Sequence, residues 1–372
     1  MAESAWQKAE EPAIVRRDTR LARRARRWAA PLLLLVANWV VAERIATHFL
    51  PSPKAFPSLY RPHPTRFWTL DGPGWRVDPA GNSLYLNSLG MRAEELSADR
   101  PALSVLMLGD SCTFGFGLDS ADTIDRLLER ALARVTGRTV RVLNAGCPAY
   151  SSYQGLDWFA EIGPLIRPDI VLVAYRYADR GKEPTPDKER QGGWWMGRMR
   201  SFLWKSAIYQ VVRNAIQGPP MGGDADGYSP TLGGEATTYR VSCADFEGNL
   251  RAIARQAHAL GARGVAFVLL PNVFHEDGAR VDHSAALYAV GEREGIVVDG
   301  TLLWKNREAL DSYFYDGLHF NAKGARAFTT DLLDALLKSG WVRAGASVEG
   351  AQRPGVAPSG ARLPSSEIST KR

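Results

Sequence analysis

The sequence predicts a doubly wound α/β fold, in which helices cover both faces of a mainly parallel sheet. Short apolar runs alternate along the chain with segments of helical periodicity. Strands that alternate with helices in this way form parallel sheets. Polar and glycine residues directly follow several of the apolar runs, which places them at the carboxyl edge of the sheet, where such folds hold their functional residues.

Five apolar runs are the predicted strands of this sheet, at residues 103–108, 140–143, 170–175, 264–270 and 295–299. They are short and apolar throughout, as strands buried on both faces are. Helical periodicity lies between them, at residues 124–135, 156–162 and 251–260, with the first of these helices starting near Ser120. Gly163-Pro164 is expected to end the second helix.

The basic charge of the chain lies in its two ends. The 372 residues carry a formal net charge of +6. Residues 1–27 contain eight Lys/Arg against four Asp/Glu, and residues 343–372 contain five against two. The body between them is therefore close to neutral. Without a basic patch in the body, the charge pattern argues against binding of nucleic acid.

The N-terminal segment predicts export from the cytoplasm. An Arg-rich tail over residues 1–27 precedes 15 residues without a formal charge, at positions 28–42. Fifteen helical residues rise only about 22 Å against a hydrocarbon core of roughly 30 Å. Extension to residue 50 gives the length but includes Glu43 and Arg44. Three alternatives remain open: a transmembrane signal anchor over 28–50, a cleaved signal peptide and an amphipathic helix. The first two would export the body of the protein.

Three further segments are set apart by composition. Residues 51–99 begin with alternating prolines and aromatics, a pattern that predicts an extended stalk to about Trp75. Within the same segment, residues 82–92 are expected to form an edge hairpin or to wrap the domain. Residues 180–240 interrupt the α/β alternation as an insertion, interpreted as a lid or as a surface excursion. After Trp341, the tail is rich in Gly, Ala, Pro and Ser and is predicted to be disordered.

The three cysteines predict neither a metal cluster nor a disulfide framework. Cys112, Cys147 and Cys243 lack CxxC spacing. Cys112 and Cys147 each adjoin a candidate site residue, so they are expected to be close in space. Buried free thiols and a single pair formed in an oxidising compartment both remain open.

The chemistry is expected where the first predicted strand ends. Gly109-Asp110-Ser111 follows that strand, and Gly115 and Gly117 come shortly after. A serine on a tight turn at the carboxyl end of a parallel strand exposes its hydroxyl at the sheet edge. Far downstream, Asp316 and His319 lie three residues apart, a spacing that lets both side chains emerge on one side of a turn. A serine, an imidazole base and an orienting carboxylate together predict nucleophilic acyl chemistry.

With these residues placed, residues 100–340 resemble the GDSL/SGNH hydrolase family. GDSCTFGFG is similar to the family's first block, NAGCPAY to its second and DGLHFNAKG to its last. The resemblance implies a flavodoxin-like three-layer α/β/α fold with a five-stranded sheet, and ester or acyl chemistry without a metal or another cofactor. It implies Ser111 as nucleophile, His319 as general base and then acid, and Asp316 as the orienting carboxylate. The oxyanion would be bound by the N–H groups of Ser111 and Gly146.

The third block departs from the family's Gly-x-Asn-Asp pattern. Residues 176–179 read Arg-Tyr-Ala-Asp, so Ala178 replaces the asparagine that the family uses as a third oxyanion donor. Loss of one such donor costs about 10²–10³ in rate. Arg176 and Asp179 are candidate substrate-binding residues, with a salt bridge between them as the alternative.

These observations predict a membrane-anchored serine esterase or acyltransferase. The expected substrates are O-acyl groups, acetyl above all, on cell-envelope glycan or on other esters. The expected location is the inner membrane, single-pass, with the catalytic domain on the extracytoplasmic side. The alternative, motivated by Ala178, is a non-catalytic or weakly active glycan-binding or assembly protein on the same fold.

Overall fold

The computed structural model describes residues 13–49, 59–78, 80–183, 185–190, 238–273 and 282–345, with short pieces between 198 and 212. It starts with one long helix, α1 (Ala13–Phe49). Within α1, Trp28–His48 has a mean hydropathy of 1.5 and is almost entirely exposed. This stretch is long and apolar enough to cross a membrane, a property that signal sequences share.

Glu43, near the end of α1, has partners inside the protein. Its carboxylate accepts hydrogen bonds from the Ser206 hydroxyl at 2.8 Å and from the main-chain N–H groups of Ala207 and Ile208. A carboxylate within an apolar span is stabilised when its oxygens are paired in this way. The contact also joins α1 to the segment between the third and fourth strands of the central sheet.

Two hairpins follow where the sequence predicts an extended stalk. Strands β1 (Tyr60–His63) and β2 (Phe67–Leu70) pair antiparallel, as do β3 (Gly74–Val77) and β4 (Ser83–Leu86). Trp68, Leu84 and Leu86 are fully buried in the domain's core. Arg66 adds a charged contact to the domain, at 3.0 Å from Asp157. Residues 59–93 are therefore part of the domain, and residues 50–58 lie outside the described chain.

The described residues contain seven further strands. In chain order they are β5 (Leu103–Gly109), β6 (Val140–Gly146), β7 (Ile170–Ala174), β8 (Lys182–Glu183), β9 (Thr238–Tyr239), β10 (Gly264–Leu269) and β11 (Ile296–Asp299). The central sheet is parallel throughout and has the order β11-β10-β7-β5-β6. Gly109 pairs with Gly146 on one side and with Ala174 on the other. The segments that follow β5, β6 and β7 therefore emerge side by side.

Helices cover both faces of the sheet. In chain order they are α2 (Ser111–Phe114), α3 (Ile124–Thr136), α4 (Ser152–Ile166), α5 (Asp187–Arg190), α6 (Cys243–Ala259), α7 (Asp282–Glu294), α8 (Gly300–Leu303) and α9 (Ala322–Lys338). Helices α4, α6 and α7 share one apolar core with one face of the sheet, whereas α3 and α9 share a second core with the other face. The predicted three-layer α/β/α fold with a five-stranded parallel sheet is confirmed.

Two helices start earlier than the sequence predicts. Helix α4 starts at Ser152 because Ser151 and Gln154 form a reciprocal cap, and it continues through Pro164 to Ile166. The sequence predicts that Gly163-Pro164 ends this helix, but the helix continues for two more residues. Pro164 removes only one main-chain N–H, and it lies in the last turn of the helix. Helix α6 starts at Cys243, where Ser242 accepts a hydrogen bond from the N–H of Asp245 at 3.1 Å.

A buried ion pair fastens the base of the predicted insertion. Strands β8 and β9 pair there, and Arg240 contacts Asp187 at 3.0 Å with both side chains fully buried. Ser151 donates to the same carboxylate at 2.6 Å, so its oxygens are well satisfied. Most of residues 191–237, within the predicted insertion at 180–240, lie outside the described chain. So do residues 346–372 of the tail that is predicted after Trp341.

Candidate active site

Ser111 is the first residue of α2, directly beyond the end of β5. Asp110 caps this helix, its side chain accepting a hydrogen bond from the N–H of Cys112 at 3.0 Å. The helix ends after one turn at Gly115, whose φ of 81° is favoured by glycine. Burial raises the pKa of the Asp110 carboxyl above its usual range. The side chain of Asp110 therefore shapes the turn, and the partly exposed Ser111 is presented at the sheet edge.

The structure brings Ser111, His319 and Asp316 into one chain of hydrogen bonds. His319 Nε2 lies 2.7 Å from Ser111 Oγ, and His319 Nδ1 lies 2.7 Å from Asp316 Oδ2. A carboxylate only accepts hydrogen bonds, so Nδ1 carries the ring proton and Nε2 accepts from the serine hydroxyl. In this arrangement, the imidazole is ready to take the serine proton.

Asp316 is held as an orienting anion by its own turn. Its Oδ1 accepts hydrogen bonds from the N–H groups of Leu318 at 3.0 Å and His319 at 2.8 Å. Burial alone would raise the pKa of Asp316, but the hydrogen bonds from His319 and Leu318 hold it below its usual value. The ring of Phe116 packs 4.8 Å from the His319 ring and restricts its orientation.

The N–H of Ser111 is available to a ligand. As the first residue of α2 it has no partner within the helix, and it makes no hydrogen bond among the described residues. The positive end of the α2 dipole also faces this position. This arrangement favours an anion at the serine and agrees with the predicted use of the Ser111 N–H as an oxyanion donor.

The N–H of Gly146 is not available, contrary to the prediction. It donates to the side-chain oxygen of Asn144 at 3.0 Å in a buried position. Glycine is required at position 146 for packing, since a Cβ there would lie 2.4 Å from the main-chain nitrogen of Phe114. Gly146 thus lets α2 approach β6 closely.

Ala149 is the residue that the sequence interpretation missed. It lies in the turn after β6, which is tied to the end of β5 by a hydrogen bond from the N–H of Cys147 to the carbonyl of Gly109 at 3.0 Å. Ala149 has a φ of 62°, which is uncommon for a residue with a Cβ. Its N–H has no partner among the described residues, while its carbonyl accepts from Arg240 at 2.8 Å. The positive φ is the signal, and it is visible only in the structure.

The two candidate substrate-binding residues have different surroundings. Arg176 is partly buried, donates to the Ser284 hydroxyl at 3.2 Å and lines a cleft together with Asp110 and Leu318. Asp179 is fully buried and accepts from the N–H of Ser152 at 2.8 Å, so its position does not favour contact with a substrate. Burial raises the pKa of Asp179 to about 7.

The other polar candidates near the site are thiols. Cys112, Cys147 and Cys243 are free, and burial raises the thiol pKa of both Cys112 and Cys147. Neither thiol is therefore activated as a thiolate. Within the residues that the structure describes, no group of three His, Cys, Asp or Glu side chains is placed to hold a metal ion.

Comparison with known proteins gives one match to a family model. The model, described as the GDSL-like Lipase/Acylhydrolase family, matches residues 107–327. No curated protein sequence matches the chain significantly.

Several solved structures are similar. A lipase/acylhydrolase from Enterococcus faecalis has 18% sequence identity and a TM-score of 0.42, with coverage of 63% of this chain and 95% of that one. A psychrotrophic esterase from Pseudoalteromonas sp. has 13% identity and a TM-score of 0.41, with coverage of 63% and 97%. An acetyl xylan esterase from Geobacillus stearothermophilus has 15% identity and a TM-score of 0.40, with coverage of 66% and 97%.

Proposed function

The chain belongs to the GDSL-like lipase/acylhydrolase family, and we propose that it is a serine esterase or acyltransferase with Ser111 as its nucleophile. The observation that carries this proposal is the continuous hydrogen-bond chain from Ser111 Oγ through His319 to Asp316, with both distances at 2.7 Å. A serine hydroxyl is a weak nucleophile until an adjacent base takes its proton, and this geometry provides that base.

The proposed reaction has two half-reactions. In the first, Ser111 Oγ bonds to the acyl carbon of the ester while its proton passes to His319 Nε2. The tetrahedral intermediate then expels the alcohol, which receives that proton from His319. In the second, water or an acceptor hydroxyl gives its proton to His319 and attacks the acyl carbon. The second tetrahedral intermediate then expels Ser111 Oγ, which receives that proton from His319. Water gives a carboxylic acid and hence hydrolysis, whereas a sugar hydroxyl gives a new ester and hence transfer.

The negative charge of the tetrahedral intermediate needs hydrogen-bond donors. We assign this role to the N–H groups of Ser111 and Ala149, which have no other partner among the described residues. Ala178 has no side-chain donor, so the third donor that the family uses is absent at this position. Arg176, on the cleft beside Asp110, is the candidate for binding a polar or anionic part of the substrate.

The proposed substrate is an O-acyl group, in the first place acetyl, on cell-envelope glycan. Two features support a large substrate held outside the cytoplasm. The span at residues 28–48 follows an Arg-rich segment, a pattern that favours a cytoplasmic N-terminus. The mouth of the site is open, with Tyr315 61% exposed and the Asp316 side chain 41% exposed. We accordingly place the protein in the inner membrane, single-pass, with its α/β domain extracytoplasmic.

The activity is tested with the full chain purified in detergent. Wild-type protein is expected to release p-nitrophenol from p-nitrophenyl acetate, and Ser111→Ala should abolish this release. Ser97→Ala, a change at an exposed serine away from the site, is the matched control and should behave as wild type. Equal activity in Ser111→Ala and wild type would refute the mechanism. Addition of an acceptor sugar, with mass spectrometry of the products, separates transfer from hydrolysis.

The second candidate function is a glycan-binding or assembly protein without catalysis. The observation that favours it is Ala178 in place of a donor side chain. It predicts binding of acylated glycan that Ser111→Ala leaves unchanged, together with no ester hydrolysis by the wild type. Turnover that depends on Ser111 would exclude it.

A further inference from the structure

The turn that presents Ser111 is fastened by residues that precede the family match at residue 107. We propose that Arg92 and Asp78 are positioning residues that hold this turn in the geometry required for catalysis. This inference rests on the proposed function, because it assigns Arg92 and Asp78 a role in the reaction of Ser111. It concerns a part of the chain, residues 59–93, that the sequence interprets as linker and edge.

Arg92 binds the carbonyl groups at the end of α2. Its side chain is 4% exposed, and Nη1 donates to the carbonyls of Phe114 at 3.1 Å and Gly115 at 2.7 Å. Nη2 donates to the carbonyl of Leu118 at 2.6 Å. The last carbonyls of a helix have no partner within it, so one guanidinium satisfies three main-chain acceptors around a single-turn helix. A cation at this end also stabilises the helix dipole.

Asp78 holds the next residues of the same loop. Its carboxylate is buried and accepts from the N–H of Gly117 at 3.2 Å, and also from the N–H of Asn82 at 2.8 Å in the turn between β3 and β4. Gly117 has a φ of 76°, a conformation that the hydrogen bond helps to fix. The β3–β4 hairpin thus reaches the serine loop through one buried carboxylate.

The charges of these two residues support each other. Burial lowers the pKa of Arg92, and the nearby carboxylates of Asp125, Asp78 and Asp119 oppose this shift. A buried guanidinium is costly unless it is paired and hydrogen-bonded. Here the carbonyls supply the hydrogen bonds and the carboxylates supply the opposite charge.

The loop from Gly115 to Leu118, which Arg92 and Asp78 hold, also contacts the segment that carries His319. Phe116 packs against the His319 ring, and Tyr315 lies against Gly117, where a Cβ would approach the Tyr315 ring to 3.6 Å. A shift of this loop would therefore change the position of Ser111 relative to His319. A displacement of about 1 Å at reacting groups costs on the order of 10²-fold in rate.

The test compares Arg92→Met, which removes the donors, and Arg92→Lys, which keeps the charge but loses the planar fork. Arg100→Met is the matched control, since Arg100 also donates to a main-chain carbonyl, that of Arg167, but lies exposed. The readouts are kcat and KM for p-nitrophenyl acetate, the rate of Ser111 labelling by a fluorophosphonate, and the melting temperature. All rates are measured well below the melting temperature of each variant.

We expect Arg92→Met to lower kcat and the labelling rate by roughly 10- to 100-fold with KM changed less than about 2-fold, because misalignment affects the reacting atoms and leaves binding intact. Arg92→Lys should be intermediate, and Arg100→Met unchanged. A folded Arg92→Met with wild-type kcat and labelling rate would overturn the inference. If Arg92→Met does not fold, the same readouts are taken on Arg92→Lys, and a folded Arg92→Lys with wild-type kcat and labelling rate would overturn the inference. Wild-type protein that is neither labelled nor active would refute the proposed function instead, and the positioning role with it.

Discussion

His319 Nε2 lies 2.7 Å from Ser111 Oγ, although 208 positions separate the two residues in the chain. Each is placed by its own local structure. Ser111 is fixed by the Asp110 cap at the start of α2, and His319 by the hydrogen bonds that its ring and main chain make to Asp316. The pair meets because the serine turn and the turn before α9 both lie at the carboxyl edge of the sheet.

Asp316→Asn should lower kcat about 10⁴-fold, because an amide favours the wrong imidazole tautomer and no longer stabilises the imidazolium. The loss should persist at every pH where the wild type is active, since hydrogen bonds from His319 keep the pKa of Asp316 below its usual range. Steady-state kinetics from pH 5 to 9 check this. Asp311→Asn is a control on the same segment. Recovery of Asp316→Asn at high pH would argue against the assigned role.

Replacement of Ala149 by lactic acid, which substitutes an ester oxygen for its N–H, should lower kcat about 10²–10³-fold, the cost of losing one oxyanion donor. The side chain and the main-chain path are kept, so stability should change little. Gly146→Ala provides the contrast. It keeps the N–H but places a Cβ 2.4 Å from the Phe114 nitrogen, so it should lower the melting temperature. An Ala149 ester variant with wild-type kcat would remove Ala149 from the oxyanion hole.

Asp179→Asn should flatten the dependence of stability on pH between about 4 and 7. Burial raises the pKa of Asp179 to about 7 in the folded protein, against about 3.9 in an unfolded chain. Between these values the folded state keeps a proton that the unfolded state has lost, so wild-type stability falls as pH rises and levels off above about pH 7. The melting temperature of the variant relative to wild type should therefore increase from pH 5 to pH 8. Asp99→Asn, a change at an exposed carboxylate, is the control. A difference in melting temperature between Asp179→Asn and wild type that stays constant from pH 5 to pH 8 would contradict the prediction.

Asp187→Ala should lower the free energy of unfolding by about 3–5 kcal/mol, because it removes the carboxylate that forms an ion pair with the fully buried Arg240. Because Arg240 also binds the Ala149 carbonyl, kcat should fall as well. Lys188→Ala, which breaks the neighbouring exposed ion pair with Asp245, is the control and should have no measurable effect. Denaturation in urea measures the difference, and equal stability of the two variants would contradict the account.

The sheet could be predicted because its strands carry their own signals. Short apolar runs such as the one at Leu103–Gly109 end in glycine or polar residues, and the alternation with helices implies parallel pairing. Residues 82–92 are expected to form an edge hairpin or a wrap, but strands β1 to β3, which lie in or at the end of the predicted stalk, could not be predicted in the same way. Trp68 and Leu84 are buried by contacts with distant parts of the domain, and those contacts outweigh the local proline-rich pattern.

Some residues of the candidate site carry a signal in the sequence. Ser111, His319 and Asp316 stand in recognisable motifs, and the structure places them in contact. Gly146 matches the family's second block by residue type, yet a glycine at this position serves close packing against α2. Ala149 gives no signal in the sequence, because its conformation with φ of 62° is imposed by the surrounding turn and by Arg240. Arg92 and Asp78 have no signal in the sequence either, because the atoms that they bind in the serine loop are main-chain atoms far along the chain.

The most direct test of the central claim is the site of covalent labelling by a fluorophosphonate, read by intact mass and peptide mapping. The account predicts one phosphonyl group per wild-type chain, attached to the Oγ of Ser111, with no labelling of Ser111→Ala and strongly reduced labelling of His319→Ala. Absence of labelling in folded wild-type protein, or labelling of Ser111→Ala to the wild-type extent, would contradict it.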